Sequence, residues 1–94
     1  MKEDFINCLN ELSDAVIRSS KIASPESPSV GLDVRGLLLL SYGEQRRELG
    51  GIYAAFFGRG DFFRALVENN CIDLEFTERF NPLYYEFMAF EERD

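Results

Sequence analysis

The sequence predicts an all-α protein, a small single-domain bundle of four to five helices with one short extended segment near residues 71–76. Three observations predict it. Apolar residues recur at three-and-four spacing in four separate stretches, the signature of a helix with one buried face. Strict apolar–acidic alternation, the signature of extended chain, occurs in one stretch alone, Ile72-Asp73-Leu74-Glu75-Phe76. Finally, the breaks between the stretches carry residues that stop and start helices.

The first helix is expected over residues 3 to about 22. Phe5, Cys8/Leu9, Leu12, Ala15/Val16 and Ile22 mark its inner face, while Asn7, Asn10, Glu11, Asp14, Arg18 and Lys21 fall on the other side. Asp14 and Arg18 form a favourable i,i+4 pair. Two prolines, three serines and a glycine then make a loop at about 24–32, expected to be the most mobile part of the chain.

Asp33 is placed to cap a second helix beginning at Val34. Leu37–Leu40 lacks periodicity and fits a fully buried helix or strand; leucine's propensity and the absence of β-branched neighbours favour helix. From Glu44 the pattern Leu49, Ile52/Tyr53, Phe56/Phe57 is helical again. Gly50-Gly51 inside it predicts a close helix crossing or a kink.

Arg59-Gly60-Asp61 looks like the integrin-binding tripeptide, yet helix punctuation accounts for it. Gly58 falls where a left-handed residue closes the preceding helix, and Asp61 where the next, Phe62 to about Asn69, needs an N-cap. Asn69-Asn70 ends that helix. After the alternating stretch, Asn81-Pro82 reads as N-cap and first residue of a last helix. Leu83/Tyr84 and Phe87/Met88 mark its face, widened by Tyr85 and Phe90.

Charge and composition narrow the function. The 94 residues carry 17 acids and 10 bases, net −7, which disfavours direct nucleic-acid and anionic-membrane binding and favours a basic partner. The acidity is local: residues 61–94 hold 9 acids against 3 bases. The longest aliphatic run, Leu37–Leu40, is far too short to span a bilayer, and MKEDFINCLNEL lacks the pattern of a secretory signal, so a cytoplasmic location is expected. Cys8 and Cys71 are isolated and read as reduced, partly buried thiols.

The chain has no histidine, which removes histidine-based nucleophilic systems, proton shuttles and imidazole metal sites. No catalytic constellation, cofactor motif or calcium loop is visible. The expectation is no enzyme, no cofactor and no metal.

What remains is the C-terminal third. Eight of the 13 aromatic residues lie between Phe62 and Phe90, in the same segment as the excess acid. Tyr84 and Tyr85 point about 100° apart on a helix, so they cannot both sit at the centre of one buried face. A surface tyrosine among carboxylates suits a grip on a basic protein, because tyrosine is a frequent interface anchor. The expected partner-binding residues are Asp73, Glu75, Glu78, Tyr84, Tyr85 and Glu86.

The Tyr84-Tyr85 pair beside acids is similar to the paired tyrosines of nuclease-colicin immunity proteins. The likeness covers those two residues; the histidine-bearing helix of that family has no counterpart here. The profile is that of a stoichiometric inhibitor, immunity protein or antitoxin neutralising a basic, nucleic-acid-handling partner. The alternative is a structural or adaptor subunit that homo-oligomerises through its aromatic-rich helices.

Overall fold

The structure, a computed structural model, describes residues 1–26, 31–58 and 61–89. Among these residues five helices follow in order: α1 (Glu3–Ala23), α2 (Val34–Leu38), α3 (Tyr42–Phe57), α4 (Phe62–Glu68) and α5 (Phe76–Ala89). Helix accounts for 76% of the described residues and no strand is present among them, so the fold is all-α.

α1 is the central element, packed against α5, α2 and α4, while α3 packs on α4 and α2. Phe5, Cys8, Leu9, Leu12 and Ala15 are buried, the inner face that the spacing predicts. Its end departs from the expected pattern. Ile22 is 60% exposed, because the helix has run past its neighbours by then. Arg18 donates to the Cys71 carbonyl, and no ion pair with Asp14 forms. A neutral acceptor at the end of α4 is nearer to the core than the exposed carboxylate. The loop expected at about 24–32 lies partly outside the described residues. Leu32 returns to α1, where its amide donates to the Ser13 hydroxyl at 3.0 Å.

Asp33 caps α2 as expected, accepting from the Gly36 amide at 2.9 Å. The four leucines do not act as one buried block. Leu37 is buried, but the helix ends at Leu38 and Leu39 is 88% exposed. Ser41 then caps α3 by accepting from the Glu44 amide at 3.3 Å. The S-x-x-E spacing of Ser41 and Glu44 announces that start, two residues before the hydrophobic pattern does. Gln45, buried in the first turn of α3, donates to the Leu37 carbonyl and ties the two helices together.

Gly50-Gly51 makes no close crossing. Nothing stands within 4 Å of where a Cβ would sit on either, and α3 continues through them. Gly58 closes α3 without a left-handed backbone (φ −112°). Glycine is needed there for room instead, since a Cβ would lie 2.7 Å from the Ala54 carbonyl oxygen. Arg59 and Gly60 of the tripeptide lie outside the described residues.

Asp61 stands before α4 but does not cap it. Its backbone is left-handed (φ 54°, ψ 26°) and its carboxylate makes no capping bond to α4, pairing instead with Arg64 at 3.6 Å. Capping needs an extended backbone at that position, which Asp61 does not have. Asn69-Asn70 ends α4 as expected. Asn70 is left-handed (φ 58°), its amide reaches Val67, and the Cys71 amide reaches Leu66, which makes a Schellman closure.

The extended segment expected near 71–76 is a turned connector. Cys71 and Ile72 are buried, after which the Phe76 amide bonds the Asp73 carbonyl and the Glu78 amide bonds the Glu75 carbonyl. These turns start α5 at Phe76, five residues before the expected Asn81 N-cap. Pro82 therefore lies inside the helix. An internal proline removes a donor and strains the helix, at a cost of about 3 kcal/mol. Burying Phe76 and Phe80, one turn apart, offsets it: each is at most 1% exposed. Asn81 caps nothing, and its Oδ1 is buried with no hydrogen-bond partner. Phe90 lies outside the described residues.

Candidate functional site

α5 carries the site because its two faces diverge. Phe76, Phe80 and Tyr84 point inward, held in a column of rings that includes Tyr53 and Phe57 of α3. Glu78 and Tyr85, seven residues apart, project together from the outer face, since seven residues are close to two turns. The pair of tyrosines splits as the helix geometry requires. Tyr84 is 8% exposed and Tyr85 57%.

Tyr85 is exposed but not loose. Its hydroxyl shares a hydrogen bond with that of Tyr53, 3.1 Å away, and its ring meets Tyr84 edge-on at 5.5 Å. The bond to Tyr85, together with partial burial, pushes the Tyr53 hydroxyl up to about 12. Burial, reinforced by Tyr85, raises that of Tyr84. An aromatic side chain held in one orientation before contact loses little freedom on binding.

The six expected residues do not form one surface. Asp73 and Glu86 are turned towards α1. Asp73 accepts from Arg79, which also bridges to Glu11 of α1 at 3.0 Å, and Glu86 pairs with Lys2. The Arg79 guanidinium holds the Asp73 carboxyl below the usual carboxylate range. Tyr84 belongs to the core. Glu75, Glu78 and Tyr85 remain outward, and neither glutamate has an ion pair among the described residues.

Sequence reasoning missed the partners. Tyr53 registers in the sequence only as one position of a helical face, yet it orients both tyrosines of α5. Leu74 reads as inward by alternation but is 67% exposed. The Asp73–Phe76 turn reverses its direction, a local event that no two-residue period reveals.

Among the described residues no cluster of cysteines and carboxylates is arranged to hold a metal ion, and no helix is long and apolar enough to cross a membrane. Cys8 and Cys71 are both free and buried, and burial, aided by Glu11, pushes the Cys8 thiol up and away from the reactive thiolate. Compared with known proteins, the chain matches no family model, no curated protein and no solved structure.

Proposed function

We propose that this chain is a small acidic protein-binding module that acts as a stoichiometric inhibitor, of immunity or antitoxin type, on a basic partner protein. The observation that carries the reading is Tyr85: a half-exposed ring, fixed by Tyr53 and set on the same helical face as Glu78, whose carboxylate has no ion pair among the described residues. Interface anchors are typically rigid aromatic side chains within a polar rim. The excess negative charge of residues 61–94 steers a cationic partner to that end of the molecule.

The competing reading is self-association, favoured by the near-complete exposure of Leu39 beside the half-exposed Leu38. A photo-reactive residue at position 85, introduced in the native cell, separates the two. Cross-linking to one basic protein in one-to-one ratio, absent when the probe sits at the exposed Arg35, supports the inhibitor reading. Cross-linking of the chain to itself, or to nothing, sinks it.

A further inference from the structure

We propose that the hollow between α4 and the turn before α5 is the anchor pocket of this surface, and that it receives a large apolar side chain flanked by arginine or lysine on the partner protein. The proposal rests on the protein-binding reading but adds Leu74 and Glu68, which that reading does not use. The hollow has a volume of 370 Å³ and is floored by Phe56, Phe57, Phe63 and Val67, with Leu74 as one wall. That size is within the roughly 300–1,000 Å³ of pockets that enclose ligands, and it accepts an aromatic or branched aliphatic side chain.

Leu74 gives the first argument. Ile72, two residues earlier, is buried, whereas Leu74 is carried outward by the turn and stands at the hollow's edge. An exposed leucine over an apolar floor is half of an interface core.

Charge gives the second and names the occupant. Glu68 lines the same hollow, and Glu75 and Glu78 follow Leu74 along the chain. All three are exposed and none has an ion pair among the described residues. The guanidinium of Arg64, also at the rim, is taken by Asp61. A partner closing over Leu74 therefore meets the carboxylate of Glu68 in the hollow and that of Glu75 beside Leu74 in the chain, with Glu78 following in α5, and cations suit all three. A second copy meeting this face through a two-fold axis would bring the same three carboxylates against them, and like charges repel.

The chain contains no tryptophan, so a tryptophan in a peptide reports its own burial. The probe is a peptide with one tryptophan flanked by arginines and lysines, mixed with the full chain. The expected result is a saturable blue shift of its fluorescence. Leu74→Asp, and separately Glu75→Lys with Glu78→Lys, should each raise the dissociation constant at least tenfold. Because these residues are exposed, melting temperatures should hold, and Glu68→Lys offers an independent variant of the same rim. Replacing the peptide's basic residues by glutamate should abolish the shift.

A blue shift unaffected by Leu74→Asp overturns the pocket. If binding is lost with Tyr85→Ala alone, the pocket fails while the wider reading stands. If no basic peptide binds anywhere, both fail. Sedimentation showing a dimer that Leu74→Asp dissociates would make a second copy the occupant and overturn the assignment.

Discussion

Tyr84 lies face to face with Tyr53, ring centroids 4.2 Å apart and planes 13° from parallel. This stack joins α5 to α3 and separates the roles of two tyrosines adjacent in sequence. Tyr84→Ala should destabilise the fold by about 3 kcal/mol, as large-to-small aromatic substitutions in cores do. Tyr85→Ala should leave the melting temperature nearly unchanged and act on dissociation of a partner, by about 2 kcal/mol for an anchor residue. Chemical denaturation and dissociation kinetics of the two variants check the division. Equal loss of stability in both would remove Tyr85 from the binding surface.

Gly50 and Gly51 offer the opposite case, residues whose replacement should help. Space is open at both Cβ positions and the helix is continuous through them. Gly51→Ala should therefore raise stability by about 0.5–1 kcal/mol, and Gly50→Ala by a similar amount. Urea denaturation of the two variants measures it. A loss of stability would mean that another chain segment occupies that face.

Asp61 should respond to substitution through its backbone. With φ at 54° and no capping bond to its carboxylate, Asp61→Gly should be neutral or slightly stabilising, and Asp61→Asn tolerated. Asp61→Ala should cost about 1 kcal/mol from the left-handed conformation. A true cap would give a different order, with serine as good as asparagine and glycine no better. Thermal melting of the four variants distinguishes the two.

Arg79 links α5 to α1 through Glu11 and holds Asp73 in its ionised form. Because the folded-state value of Asp73 is depressed, its contribution to stability is present above the ordinary carboxylate value and lost as pH falls through the depressed one. Arg79→Gln should raise the Asp73 titration midpoint towards its unperturbed value of about 3.9. Carboxyl carbon resonances followed through an acid titration report it directly.

On the alkaline side the sign reverses. Tyr53, pushed up to about 12 in the fold, favours the protonated folded state. Its contribution to stability is intact below the unperturbed tyrosine value of about 10 and fades as pH rises through the folded value. Tyr53→Phe should make the decline between those limits shallower, as measured by denaturation at each pH. An unchanged decline would mean that the hydroxyl pair with Tyr85 does not persist in solution.

Periodicity revealed the helices whose apolar faces are long, and it placed the inner face of α1 from Phe5 to Ala15. It also showed that Tyr84 and Tyr85 must part. Where one residue had to decide a boundary, the sequence was less legible. Asp61 and Gly58 have the right chemistry for caps, but their backbones take other conformations. Asn81-Pro82 looks like a helix start because local rules favour it; burial of Phe76 and Phe80 outweighs them. The proposed binding face was half legible for a related reason. Acidity pointed to the last third, but which carboxylates are paired depends on Lys2, Glu11 and Arg79, contacts made across the whole length of the chain.

The packing of α5 on α1 has a further consequence. Phe5 of the first helix rests against Phe80 and Phe87 of the last, so the N-terminal part of the central helix's inner face stays open until the final helix is in place, although α2 and α4 cover other parts of it. During synthesis the core therefore closes only once α5 has emerged. A partner of the proposed kind, if it grips α5, would also gain leverage over degradation. By holding the last helix down it would suppress the opening through which a protease enters, so that the free chain and the complex would differ in lifetime.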